Sequence, residues 1–272
     1  PTPTEVCMFA SPGPFVMQIG PLSIRWYGLL FATAVLLGTS LANREAIRRG
    51  EDPDQLLNVI VFGVMWGLLG ARLYYVLFNW GYYGTRPLKI LAVWEGGLAI
   101  HGGLLAGALA TVIYTVRKKL PALTYMDIMA TSLPLGQAIG RWGNFFNQEA
   151  FGIPTDLPWK LYIEPYHRPP DLAAFEYFHP TFLYESLWNL LVFAILYLVL
   201  CRRLERTPGA LLLCYVGLYS IGRFFVEGLR IDSLMLGPLR AAQVMSLGLI
   251  ALSLAGLAWL RVSSKRPQHR QE

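Results

Sequence analysis

Seven stretches of this chain are each long enough and apolar enough to cross a bilayer, and that feature excludes most other folds. They cover roughly residues 24–42, 57–78, 98–116, 126–146, 182–200, 210–226 and 242–260. A span needs about 20 mostly apolar residues. Inside hydrocarbon every backbone N–H and C=O must be satisfied within the protein, so segments of this length read as helices. The fourth stretch is the weakest, because Asp127, Pro134, Gln137 and Arg141 interrupt it. Composition agrees: 15% of residues are charged and 54% hydrophobic, with a mean hydropathy of +0.43, where soluble domains carry about 25% charged residues. That argues against a soluble globule, a disordered chain and a nucleic-acid-binding module. The expected fold is an all-α polytopic membrane protein of about seven transmembrane helices. Residues 1–272 form one integral membrane domain, and the aromatic and Pro-rich connection 151–180 forms a small cap on the outer side.

The few charges carry the remaining information. Thirteen basic residues fall in connections on one side of the spans. They are Arg44, Arg48 and Arg49 after the first span, Arg117, Lys118 and Lys119 after the third, Arg202, Arg203 and Arg206 after the fifth, and Arg261, Lys265, Arg266 and Arg270 in the tail. Six fall on the other side, over longer loops: Arg86, Lys89, Lys160, Arg168, Arg230 and Arg240. Positive residues collect on the cytoplasmic face. The N-terminus is therefore expected outside and the C-terminus in the cytoplasm, an alternation that needs an odd number of spans. The net charge of +6 then reports topology, and no nucleic-acid partner is expected. The other four basic residues, Arg25, Arg72, Arg141 and Arg223, lie within or at the edge of apolar segments, where charges are costly unless paired or functional. Cys7, Cys201 and Cys214 have no CxxC spacing and suggest no disulfide framework; Cys214 reads as a small core residue. The first 21 residues lack the pattern of a cleavable signal peptide.

The densest polar stretch is Gly140-Arg141-Trp142-Gly143-Asn144-Phe145-Phe146-Asn147-Gln148-Glu149-Ala150-Phe151-Gly152. On a helix Arg141, Asn144 and Gln148 share a face at i, i+3 and i+7, with Asn147 nearby. A guanidinium among amides suits an oxygen-rich anion, above all a phosphate; a helix–helix hydrogen-bond patch is the plainer alternative. A second set, Tyr219, Arg223, Glu227 and Arg230, lines one helix stripe at i, i+4, i+8 and i+11, where Arg223 and Glu227 can also simply neutralise each other. The third, from Trp94-Glu95-Gly96-Gly97 to His101-Gly102-Gly103, surrounds a histidine with glycines. The pKa of histidine suits proton transfer near neutrality, although a structural hydrogen bond would equally account for it. Gly63 with Gly67, Gly103 with Gly107 and Gly136 with Gly140 are small-xxx-small pairs that allow close helix packing. Arg25 reads as snorkelling to the headgroups. These polar positions fall toward the outer halves of their spans, which predicts an arginine-lined cavity open to the outer leaflet and an anionic lipid phosphate as ligand.

At residues 140–152 the pattern becomes recognisable. Gly140, Arg141, Gly143, Asn144, Asn147, Glu149 and Gly152 match Gly-Arg-x-Gly-Asn-φ-φ-Asn-x-Glu-x-x-Gly, and the sequence resembles the prolipoprotein diacylglyceryl transferases of bacteria. The resemblance covers nearly the whole chain. Trp26-Tyr27-Gly28, Gly70 with Arg72, Gly96-Gly97, His101-Gly102-Gly103, His179-Pro180 with Leu183-Tyr184-Glu185, and Arg223, Glu227 and Arg230 match further family elements in order. Phe182 departs from the family, where many members have Gln, and little consequence is expected.

The resemblance implies transfer of the sn-1,2-diacylglyceryl group from phosphatidylglycerol to the lipobox cysteine of a prolipoprotein signal peptide, with glycerol 1-phosphate leaving. The place of action is then the bacterial inner membrane, facing the outer leaflet. A thiol of pKa about 8.5 must lose its proton, and a departing phosphate must be stabilised. Arg141 and Arg223 are the expected phosphate ligands, with Asn144 adding a hydrogen bond. Asn147, Glu149, Gly152 and Glu227 complete the expected lipid-binding set. His101 is the leading candidate base, with an arginine-assisted thiolate as competitor, and Tyr27 orients the headgroup or the base. Glu149 and Glu227 are expected to position arginines, because a carboxylate beside Arg has a lowered pKa. No metal and no cofactor are expected. An anionic-lipid flippase would use the same cavity without making a bond; a membrane scaffold would not explain arginines on several spans.

Overall fold

The computed structural model describes residues 9–19, 22–93 and 96–264. Cys7, Lys265, Arg266 and Arg270, and Trp94 and Glu95 of the glycine-rich motif, lie outside the described residues. Strand β1 (Phe9–Ala10) and the hairpin β2 (Phe15–Ile19)–β3 (Leu22–Arg25) lead into helix α1 (Trp26–Arg49). Then come α2 (Pro53–Phe78), α3 (Trp80–Tyr83), α4 (Ile100–Arg117) and α5 (Ala122–Asn147). Strands β4 (Leu161–Tyr162) and β5 (Tyr177–Phe178) precede α6 (Thr181–Ala194), which continues through a π-turn into α7 (Cys201–Arg203). Helix α8 (Ala210–Glu227), hairpin β6 (Met235–Leu236)–β7 (Leu239–Arg240) and α9 (Ala241–Ser264) complete the chain.

Six helical segments are long and apolar enough to cross a membrane: α1, α2, α4, the continuous run Thr181–Arg203, α8 and α9. This is a multi-pass, mainly helical membrane protein. The expected fourth span is α5, a helix of 26 residues that does not meet the same length-and-apolarity measure. Asp127, Pro134 and Arg141 dilute its apolar character, yet at 1.5 Å per residue it is about 39 Å long and outreaches a hydrocarbon core of about 30 Å.

The described parts of the chain fall into two compact units, Pro1–Ser40 with Asp127–Glu272, and Leu41–Met126. In the second unit α2 starts at the Asp52 cap, whose carboxylate accepts from the Asp54 N–H at 2.8 Å, with Pro53 in the first turn. Helices α2 and α4 then pack backbone to backbone. A Cβ on Gly67 would lie 3.3 Å from the Gly103 carbonyl, and one on Gly107 would lie 3.1 Å from that of Gly63. On Gly70 or Gly102 a Cβ would collide with the facing helix. Two of the three small-xxx-small pairs thus do what their spacing predicts. The third does not: a Cβ on Gly136 would only brush Ala34, and Gly140 faces open space.

Arg72 is buried at the outer end of α2 and is spent on backbone. Its guanidinium donates to the carbonyls of Lys89, Ile90, Ala92, Gly96 and Gly97 and lies over the Tyr83 ring. All five donor N–H groups of an arginine suit a chain that wraps around it. Arg25 is exposed in β3, over the Phe15 ring.

In the first unit, α6 joins α5 through Ser186 Oγ to the Ala138 carbonyl (3.0 Å) and meets α8 where Gly222 makes room for the Trp188 indole. Helix α9 is tied to α8 by Ser253 Oγ on the Leu213 carbonyl at 2.6 Å. The buried Asp127 of α5 accepts from the Gly209 and Leu212 N–H groups, both at 2.8 Å, and so caps α8 from another helix. The connection between α5 and α6 folds over a small apolar core of Phe145, Phe151, Leu161, Ile163, Phe178 and Phe182. Its three-stranded sheet has the order β1-β4-β5.

Candidate active site

The signature stretch spans the end of α5. Gln148 takes a left-handed φ of 51°. Its N–H reaches the Phe145 carbonyl and the Glu149 N–H reaches the Asn144 carbonyl, the paired bonds of a Schellman ending. The chain thereby folds back, and Glu149 Oε1 accepts from the side-chain amides of Asn144 (3.0 Å) and Asn147 (3.3 Å). Gln148 is therefore not on the polar helix face its spacing predicts. It is buried, and its Oε1 accepts from the Glu164 N–H at 2.7 Å, holding the cap. Gly152 threads a tight junction. Its N–H donates to the His179 carbonyl, it bridges Arg230, and a Cβ there would lie 2.8 Å from that of His179.

Arg141 lies on the same helix, just before this fold-back, and does not stand alone. Its Nε pairs with Glu185 Oε2 on α6, while the other oxygen, Oε1, accepts from Arg223 Nη1 on α8 at 2.6 Å. Arg223 Nη2 also meets Glu227 Oε2 at 2.5 Å. Arg230 Nη1 is 3.9 Å from Glu185 Oε1, and Arg230 makes its close pair with Asp232 at 2.7 Å. It lies beyond the C-terminus of α8, so the stripe of four breaks after Glu227. The Arg230 guanidinium beside Asp232 holds that carboxyl below its ordinary range against the opposing effect of burial. Arg240 donates to the Glu227 carbonyl, and Ser233 Oγ to Glu227 Oε1 at 2.6 Å. Within this ion-paired group three guanidiniums, of Arg141, Arg223 and Arg230, meet three carboxylates, of Glu185, Glu227 and Asp232. A small cavity beside it is lined by Glu185, Trp188, Asn189, Tyr219 and Arg223. Tyr27 opens α1 and lies on Gly143, where a Cβ would be 2.6 Å from the ring, and Trp26 stacks on Phe146 at 4.4 Å.

His101 belongs to the second unit. It stands in the first turn of α4, exposed, with its ring 6.4 Å from that of Tyr74. Another histidine, His179, approaches the Tyr184 hydroxyl through Nδ1 at 3.1 Å, and Trp159 Nε1 donates to the same oxygen at 2.9 Å. Burial pushes the His179 imidazole below its ordinary pKa. Among the described residues no three His, Cys, Asp or Glu side chains are grouped to hold a metal ion.

Comparison with known proteins decides the family. The family model described as "Prolipoprotein diacylglyceryl transferase" matches residues 14–259. The chain belongs to this family. It is 57% identical over 264 residues to a protein of Trichormus variabilis named phosphatidylglycerol–prolipoprotein diacylglyceryl transferase, covering 96% of this chain and 93% of that one. A protein of Synechococcus elongatus with the same name is 53% identical over 93% of this chain and 89% of its own. One from Gloeobacter violaceus, also so named, is 51% identical over 96% and 97%.

In this transferase the structure gathers Arg141, Arg223 and Glu227 in one cluster, and Asn144, Asn147 and Glu149 in a second on the same helix end. Glu227 meets an arginine as expected, whereas Glu149 meets two amides. Glu185, the carboxylate that joins the arginines of two helices, has no role assigned to it from the sequence. Its signal was present: an acidic residue one turn inside an apolar span, where a charge needs partners.

Proposed function

We propose that this transferase moves the diacylglyceryl group of phosphatidylglycerol onto the lipobox cysteine of a prolipoprotein, the first step of lipoprotein maturation. The observation that carries the reading is the convergence of Arg141 and Arg223, from two different helices, on the one carboxylate of Glu185. Guanidiniums are suited to holding a phosphate oxygen and to stabilising the charge that develops as it leaves. In the reaction the substrate thiol loses its proton, a sulfur–carbon bond forms, and the carbon–oxygen bond to the phosphate breaks to release glycerol 1-phosphate. Arg141 and Arg223 hold the phosphate, with Asn144, one turn beyond Arg141 on α5, contributing an amide. Glu227 orients Arg223. Asn147, Glu149 and Gly152 shape the end of α5 that presents Arg141. His101 is the base for the thiol, and Tyr27 orients the headgroup against α5. The site faces the outer leaflet of the bacterial inner membrane, and the signal peptide of the client enters from the same bilayer.

The test is transfer in vesicles of labelled phosphatidylglycerol with a lipobox peptide. The wild-type protein yields a thioether peptide and glycerol phosphate. Arg141→Ala and Arg223→Ala abolish both products while inserting normally, and His101→Gln loses turnover. Full activity of either arginine variant would remove the phosphate role, and wild-type turnover by His101→Gln would remove the base. Lipid movement without a thioether product would make the chain a flippase.

A further inference from the structure

We infer that Glu185 is a positioning residue that joins Arg141 and Arg223 into one two-guanidinium clamp for the lipid phosphate. The inference rests on the transferase reading above. Two guanidiniums repel each other, and in a membrane interior that repulsion is poorly screened. Nothing in the sequences of α5 and α8 alone would keep their arginines side by side. Glu185 does so from a third helix, giving one carboxylate oxygen to each: Oε2 to Arg141 Nε and Oε1 to Arg223 Nη1 at 2.6 Å.

The order of exposure gives the direction of the clamp. The Glu185 side chain is 7% exposed, whereas those of Arg141 and Arg223 are 22% and 21% exposed. The carboxylate is the buried member and the two cations are the more exposed ones. A guanidinium has five donor N–H groups in a fixed fork. Arg141 meets Glu185 through Nε, and Arg223 meets its two carboxylates through Nη1 and Nη2, so each keeps donors for a phosphate oxygen while remaining anchored. Glu185 is itself fixed: Ser186 ties the same turn of α6 to α5, and Trp188, one turn on, is seated in the Gly222 notch of α8. A phosphate bound across both arginines therefore uses them as a unit whose spacing α6 sets.

The experiment is a double-substitution cycle on the full chain in phosphatidylglycerol vesicles with a lipobox peptide. Arg141→Lys and Arg223→Lys keep the charge and lose the fork. In the wild-type background their effects on kcat/KM are expected to be coupled by more than about fivefold. In a Glu185→Gln background the coupling is lost, and that single change raises KM for phosphatidylglycerol about tenfold, on the scale of one charged hydrogen bond. Glu185→Asp recovers part of the loss. Additive arginine effects in the wild-type background would overturn the proposal, and they remain measurable if Glu185→Gln fails to insert. A lower KM in Glu185→Gln would also overturn it, since Glu185 would then compete with the phosphate. A loss of thermal stability in Glu185→Gln with KM unchanged would reduce Glu185 to helix packing. If the wild-type protein makes no thioether at all, the transferase reading fails before the clamp is tested.

Discussion

Gly102 and Gly140 each neighbour a side chain with a proposed chemical role, His101 and Arg141, yet their surroundings are opposite. A Cβ on Gly102 would run into Tyr74 and the Gly70 carbonyl, whereas one on Gly140 would meet nothing within 4 Å. Gly102→Ala forces α4 away from α2 and displaces the turn that carries His101. Overpacking of this kind costs about 1–3 kcal/mol, so a lower apparent Tm in detergent and reduced turnover are expected. Gly140→Ala replaces glycine within a helix by the better helix former, worth about 1 kcal/mol, and should leave Tm unchanged or raised. If the two variants melt alike, the close approach of α2 and α4 is not what Gly102 serves. The sequence marks Gly140 by its spacing from Gly136 and Gly102 by its place beside His101. Only the facing backbone separates the one that packs from the one that does not, and no periodicity within a helix reveals its neighbour.

At the scale of elements, the charges that weakened the fourth span turn out to be what fixes it. Asp127 reads in the sequence as an interruption. In the structure its carboxylate satisfies two otherwise orphaned N–H groups at the start of α8, a cap supplied by a residue 82 positions away in the chain. Arg141 likewise has its counter-charge on α6. Partners so far apart in sequence cannot be read from spacing, which is why the sequence singles out the arginines and not Glu185 as their anchor. The same limit applies to Gln148: helical periodicity assigns it to the face of Arg141, but the chain turns left-handed there and buries it in the cap. Asp127→Asn keeps one acceptor and loses the charge at the helix N-terminus, at a cost of about 1–2 kcal/mol. The expected apparent Tm is lower by about 2–4 °C for a chain of this size. Because α8 carries Arg223, kcat should fall with it. An unchanged melting curve would mean that water caps α8 equally well.

For the whole molecule the open quantity is the number of crossings, because the proposed orientation depends on its being odd. Six segments cross by length and apolarity, and an even count would leave both ends of the chain on one side. Adding α5 restores seven. Its length suffices, and its two embedded charges are both paired, which offsets most of the cost of carrying them. The basic residues give independent weight. With α5 crossing, the Arg48–Arg49 end of α1, the Arg117 end of α4 and the Arg202–Arg203 end of the α6–α7 run all fall on the cytoplasmic side, as positive residues should. The cap between α5 and α6 then falls outside with the ends of α5 and α8 that hold the arginine cluster. Single cysteines tested with a membrane-impermeant thiol reagent on intact cells decide the matter, in a background with Cys7, Cys201 and Cys214 replaced. Tyr166→Cys in the cap should be labelled, and Thr207→Cys between α7 and α8 should be labelled only after the cells are opened. Labelling of Thr207→Cys on intact cells would reverse the orientation and place the arginine cluster on the cytoplasmic leaflet. Protection of both positions would refute the crossing of α5 in the direction proposed.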